Sequence, residues 1–168
     1  QVAEATRYVR SIWPRRPRVG LILGTGLGGL VKQIDCEAAI AFEEIPCFPR
    51  STALSHSGQL VAGRLAGCAV LAMQGRCHLY EGYSRAEVGL PVRMMHALGI
   101  EVLVVSNASG GLDPRMESGD ILVLNGHVDL MTRGSPNGAE STWPDAATSG
   151  HRVASPYDAT IAAHALAT

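Results

Sequence analysis

The sequence predicts an α/β chain. Short, β-branched apolar runs alternate with segments of helical period along its 168 residues. A glycine-rich turn separates one such run from the helical stretch after it. Hydrophobic residues make up 46% and charged residues 17%, a composition that supports a packed core and excludes wholesale disorder. The length suits one domain, and residues 1–168 are expected to form a single one.

Each element follows from local pattern. Val2, Ala5, Tyr8, Val9 and Ile12 recur at spacings of three and four, which predicts a helix over 2–13, stopped by Pro14. Residues 19–23 form an apolar run between Pro17 and Gly24 and read as a buried strand. A short helical stretch should reach about Ile34, and 38–42 is a weaker strand. Pro46, Pro49, His56 and Gly58 make 45–58 a loop. Residues 59–65 and 68–74 flank Ala66-Gly67, as a β-hairpin would. The polar, glycine-bounded segment 75–83 reads as a loop. Ser84 and Glu87 form an S-x-x-E capping box, so a helix is expected over 84–98, ending at Gly99 and kinked or broken by Pro91. Strands are predicted at 102–106 and 121–125, with a loop over 107–116 between them. Residues 126–150 show little periodicity. A last helix should open with Ser155 as cap, Pro156 in the first turn and Asp158 beside the positive dipole end.

Bulk properties remove several function classes. A formal net charge of −1 lacks the electrostatic footprint of a general nucleic-acid binder. No apolar run approaches the roughly 20 residues of a membrane span, and the N-terminal segment lacks the apolar core of a signal peptide. Cys36, Cys47, Cys68 and Cys77 include no C-x-x-C pair, so neither a zinc knuckle nor a disulfide framework is suggested. A cytoplasmic, reducing setting is the expectation. The chain starts at Gln1 and stops inside an alanine-rich run, which suggests a piece of a longer protein.

Three loops carry the chemistry. Gly24, Gly26 and Gly29 satisfy G-x-G-x-x-G, with Glu43 and Glu44 near the spacing at which an acid meets a dinucleotide ribose. Such a loop equally suits a bare anion, because glycines expose N–H groups and Thr25 adds a hydroxyl; a tight turn is the plainest alternative. In the second loop Arg76, His78 and Tyr80 alternate, so a guanidinium, an imidazole and a phenol share a face if strand geometry continues. That set fits an oxyanion with an organic group beside it, and Glu81 either orients Arg or His or stands exposed. Asn107-Ala108-Ser109-Gly110-Gly111-Leu112 follows a strand, where open α/β sheets bind ligands, so it and 24–29 are expected to meet at one crevice. His56 stands on a further loop, and His96 reads as structural.

Together these motifs are recognisable. Gly24-Thr25-Gly26-Leu27-Gly28, His56-Ser57-Gly58, the string from Gln74 to Tyr83, and Asn107-Ala108-Ser109-Gly110-Gly111-Leu112-Asp113-Pro114 resemble, in order, those of the trimeric purine nucleoside phosphorylases. The resemblance runs from about Val19 to Asp158; the related methylthioadenosine phosphorylases share the Gly-Thr-Gly loop but usually lack Tyr-Glu-Gly-Tyr.

The resemblance implies a phosphorylase/hydrolase-like fold, a mixed central sheet flanked by helices, whose C-terminal part this chain lacks. It implies phosphorolysis of purine (deoxy)ribonucleosides to free base and pentose 1-phosphate, with inorganic phosphate as co-substrate, no other cofactor and no metal. The expected partners are nucleoside and phosphate, with a homotrimer at full length. Residue by residue, Thr25, Arg76, His78 and the backbone of Ala108 match phosphate-binding positions, and His56 matches a histidine near phosphate. Tyr80 matches the tyrosine against the ribose, while Ser109 and Gly110 lie where the purine pocket is lined. Glu81 matches the glutamate that orders the phosphate network; His78, Glu81 and His56 are the expected catalytic set. Ser109 replaces a common alanine, 138–155 holds no Phe to reach a neighbouring ribose site, and the base-reading segment is absent. Two other readings remain open: a dinucleotide-binding oxidoreductase using the Gly24 loop, and a non-catalytic phosphate-binding fragment.

Overall fold

A computed structural model describes residues 1–24, 26–50, 58–127 and 155–167. The chain divides into two compact units, Gln1–Gly110 and Gly111–Thr168. The first unit contains helix α1 (Val2–Ile12), strands β1 (Val19–Leu23), β2 (Asp35–Ala41), β3 (Gln59–Leu65) and β4 (Cys68–Gln74), helices α2 (Arg85–Val88) and α3 (Leu90–Leu98), and strand β5 (Val102–Val105). The five strands form one mixed sheet in the order β2-β3-β4-β1-β5. β2, β3 and β4 run antiparallel, whereas β1 lies parallel to both β4 and β5.

The period-two pattern of the strands sorts side chains into two cores. Ile22, Leu60, Ala62, Leu71 and Met73 face the side covered by α1 and α3, where Val9, Met94, Met95 and Leu98 close the layer. Leu21, Leu23, Val61, Val70 and Ala72 occupy the opposite side with Ile34. β1 is buried from Gly20 to Leu23 because strands flank it on both edges and cores cover both its faces.

Most local expectations hold. The β3–β4 hairpin turns at Ala66 and Gly67, with φ of 48° and 78°; two positive φ values mark the turn whose twist matches its strands. Ser84 caps α2, since its hydroxyl accepts from Glu87 N at 3.3 Å while Ser84 N donates to the Glu87 carboxylate at 2.8 Å. The helix expected over 84–98 is two helices, separated at Gly89, with Pro91 in the first turn of α3, where its missing N–H leaves no bond unmade.

Five local expectations differ. The helical stretch after the glycine turn is a 3-10 helix, Gly28–Gln33. The strand expected over 38–42 starts earlier, at Asp35, and Phe42 belongs to a 3-10 turn, its ring buried in the core. Residues 79–81 of the expected loop close into a 3-10 turn. In the second unit, residues 121–125 form no strand; Ile121 and Leu122 are exposed, and an apolar run becomes a strand only when another backbone completes its ladder. The last helix, α4 (Ala159–Leu166), is capped by Asp158, whose carboxylate accepts from Thr160 N and Ile161 N, both at 2.9 Å. Ser155, the cap expected from sequence, instead accepts from Tyr157 N one turn earlier.

Candidate active site

Because β1, β4 and β5 are parallel neighbours, their carboxyl ends lie together, and the chain leaves each at the same end of the sheet. Gly24, Gly75 and Ser106 are the residues that follow. Their loops hold the glycine turn, the Arg76–Glu81 string and the Asn107–Gly110 segment.

Ser106 joins the three. Gly24 N donates to Ser106 Oγ at 2.9 Å. Arg76 Nη1 donates to the Ser106 carbonyl at 2.9 Å. The approach is close enough that a Cβ on Gly24 would stand 2.5 Å from the Ser106 carbonyl oxygen and 2.9 Å from Asn107 Cα, so space alone demands glycine there. The loops expected from sequence to meet therefore touch around one serine.

The second loop is ordered internally. Arg76 Nε donates to His78 Nε2 at 3.1 Å. Since Nε can only donate, Nε2 of His78 accepts, and the ring proton sits on Nδ1. Nδ1 lies 3.1 Å from Glu81 Oε1, which also accepts the His78 backbone N–H at 2.7 Å. The Glu81 carboxylate is nearly buried, at 8% side-chain exposure, so it orients His78 and is not the exposed charge of the alternative reading. Gly82, at φ 93°, ends the turn in the left-handed region. Among the described residues Nη2 of Arg76 makes no hydrogen bond, which leaves donors of the guanidinium fork for an oxyanion.

Tyr80 is 83% exposed and its ring stacks on His78, with centroids 4.7 Å apart and planes 14° from parallel. The alternation of Arg76, His78 and Tyr80 thus yields a contiguous run of a guanidinium, an imidazole and a phenol. Cys77, between the first two, points inward. Its thiol is pushed up to about 11, chiefly by burial and then by the Glu81 charge. It lines a cavity of about 230 Å³ with apolar neighbours such as Phe42, Phe48, Met73 and Pro91.

Ala108, Ser109 and Gly110 are exposed on the loop after β5. Thr25 and His56 lie outside the described residues. Sequence reasoning missed two residues. One is Ser106, read only as the end of a strand. The other is Tyr83, whose hydroxyl donates to the Arg50 carbonyl at 2.7 Å and accepts from Arg50 N at 3.1 Å, tying the second loop to the segment that leads toward His56. Among the described residues no group of three His, Cys, Asp or Glu is placed to hold a metal ion. The dinucleotide reading needs an α-helix opening on the glycine turn and crossing to a parallel neighbour. The chain makes a 3-10 helix there and proceeds into the antiparallel strands β2 and β3.

The sequence model of the Phosphorylase superfamily matches residues 18–168. This chain is 45% identical over 131 residues to purine nucleoside phosphorylase 1 of Bacillus subtilis (strain 168), covering 78% of this chain and 48% of the relative. It is 48% identical over 123 residues to purine nucleoside phosphorylase of Rattus norvegicus, covering 73% of this chain and 43% of the relative. A crystal structure of isoform 2 of purine nucleoside phosphorylase from Schistosoma mansoni, in complex with cytosine and ribose-1-phosphate, aligns at 41% identity with a TM-score of 0.66. That alignment covers 71% of this chain and 42% of the solved one. The chain spans less than half the length of these relatives.

Proposed function

The chain belongs to the phosphorylase superfamily, and from that membership we propose that the full-length protein catalyses reversible phosphorolysis of purine (deoxy)ribonucleosides. The products are a free purine base and (deoxy)ribose 1-phosphate. The observation that carries this reading is the meeting of the Gly24, Arg76 and Asn107 loops at Ser106, with the Arg76 fork held there by two hydrogen bonds. Identity of 45% and 48% to proteins named purine nucleoside phosphorylase supports it, as does a structural neighbour that holds ribose-1-phosphate.

The chemistry asks for such a site. Cleaving an N-glycosidic bond builds positive charge on the pentose, as in an oxocarbenium-like transition state. Phosphate serves as nucleophile and counter-charge, so it must be fixed on the face opposite the departing base. Aligning the two reactants can contribute about 7–11 kcal/mol toward the barrier. In this reading Arg76, His78, the Thr25 hydroxyl and the Ala108 N–H hold the phosphate, with His56 beside it. Glu81 sets the ring of His78, Tyr80 lies against the ribose, and Ser109 and Gly110 line the purine. Phosphate is the co-substrate, without metal or further cofactor; the working form is a cytoplasmic homotrimer. Residues 1–168 are part of one α/β phosphorylase domain, a reading supported by a family match that runs across both compact units.

The test uses the full-length protein with inosine. Hypoxanthine should appear only when phosphate is added. Arg76→Ala should raise the KM for phosphate at least ~10-fold, the effect of losing charge-assisted hydrogen bonds, while the KM for inosine stays within about twofold. Base release that ignores phosphate would refute the reaction, and an unchanged phosphate KM in the variant would refute the role of Arg76. The 168-residue chain alone, assayed alongside, separates a phosphorylase from a fragment that binds phosphate and turns nothing over.

A further inference from the structure

Ser106 sits at an irregularity of the sheet. In a parallel ladder the residue that donates its N–H to one neighbouring carbonyl receives, on its own carbonyl, the N–H two residues further along that neighbour. Ser106 begins the pattern, donating N–H to the Ile22 carbonyl at 3.0 Å. Gly24 N should then reach the Ser106 carbonyl. It reaches the Ser106 hydroxyl instead, at 2.9 Å. The released carbonyl accepts Arg76 Nη1 at 2.9 Å.

We propose that Ser106 is a positioning residue for phosphate: its hydroxyl replaces its own carbonyl in the β1–β5 ladder, freeing that carbonyl to aim the Arg76 guanidinium. The proposal rests on the phosphorylase reading and adds to it a residue that holds two anion-binding loops in register. When the hydroxyl is removed, Gly24 N turns back to the Ser106 carbonyl, the nearest acceptor left to it. Arg76 Nη1 must then share that oxygen or give it up, which weakens one of the two bonds that orient the guanidinium. A hydroxyl at 106 satisfies both donors at once. Threonine carries the same hydroxyl on Cβ, so it should preserve the arrangement; alanine should not.

The experiment measures steady-state kinetics of the full-length protein bearing Ser106→Ala or Ser106→Thr, with inosine and phosphate varied independently. Ser106→Ala should raise the phosphate KM about five- to tenfold, the scale of one ordinary hydrogen bond, and leave the inosine KM within about twofold. Ser106→Thr should restore the phosphate KM. In an Arg76→Ala background, Ser106→Ala should add little, because the guanidinium it positions is gone. Equal rises in both KM values, no rescue by threonine, or full additivity with Arg76→Ala would each overturn the proposal. If Ser106→Ala is insoluble, Ser106→Cys substitutes a weak sulfur acceptor at similar volume, with the same expected outcomes. If the unaltered full-length protein shows no phosphorolysis, the functional reading fails by itself. Calorimetric titration of inorganic phosphate into unaltered and Ser106→Ala protein then decides: weaker binding by the variant supports the positioning role, and equal binding or none overturns it.

Discussion

Arg76 and Cys77 are adjacent, yet they face opposite worlds. The guanidinium directs Nε and Nη1 to His78 and Ser106 and, among the described residues, leaves Nη2 unbonded, whereas the thiol lies in the core with its pKa pushed up to about 11. The alternation Arg76-Cys77-His78 in the sequence already separates the two faces, since period two sends neighbours to opposite sides. What the alternation does not reveal is the depth of burial, which depends on Phe42, Phe48 and Met73 arriving from other elements. Reactivity follows from that depth. At pH 8 a thiol of pKa about 11 is thiolate in roughly one molecule in a thousand, and only thiolate attacks an alkylating reagent. Iodoacetamide should therefore label the exposed Cys36 and Cys47 first and reach Cys77 only on unfolding. Peptide mass spectrometry over a labelling time course checks the order, and early modification of Cys77 would contradict the burial described.

Helix α2 shows how far an element can be read locally. The Ser84/Glu87 box is written in four residues, and both of its reciprocal bonds form. Ser84→Ala should destabilise the protein by about 1 kcal/mol, seen as a lower urea midpoint with an unchanged slope. Glu87 adds a pH signature. Its carboxyl is held below the ordinary 4.5, first by the Ser84 hydroxyl and then by the Ser84 backbone N–H. A carboxyl depressed by folding stabilises the native state above its unfolded pKa, and that stabilisation disappears as pH falls through the folded value. Ser84→Ala should accordingly flatten the decline in stability below pH 4.5, a difference that urea titrations at two pH values would resolve. Elsewhere local reading fell short. The glycine turn supports an α-helix or a 3-10 helix equally well in sequence, and 121–125 has the composition of a strand without a strand's partner.

Among the described residues, the sheet of the first unit leaves an apolar edge exposed. β5 stands at the edge of the sheet, and Leu103, Val104 and Val105 are 37%, 47% and 54% exposed. An apolar edge with free N–H and C=O groups recruits another strand. The 168-residue chain on its own should self-associate at micromolar concentration, and Val104→Lys should shift its sedimentation toward monomer, since a charge on an edge strand opposes edge pairing. A monomeric unsubstituted chain would show that the edge is blocked. The residue types of the three loops, the hairpin and the caps were all determined by short stretches of sequence, because each rests on contacts a few residues apart. The meeting of those loops belongs to tertiary structure alone. It depends on β1 pairing with strands that lie far along the chain on both sides, and on a serine hydroxyl standing in for a backbone carbonyl, an exchange that exists only once Gly24, Arg76 and Ser106 are brought together.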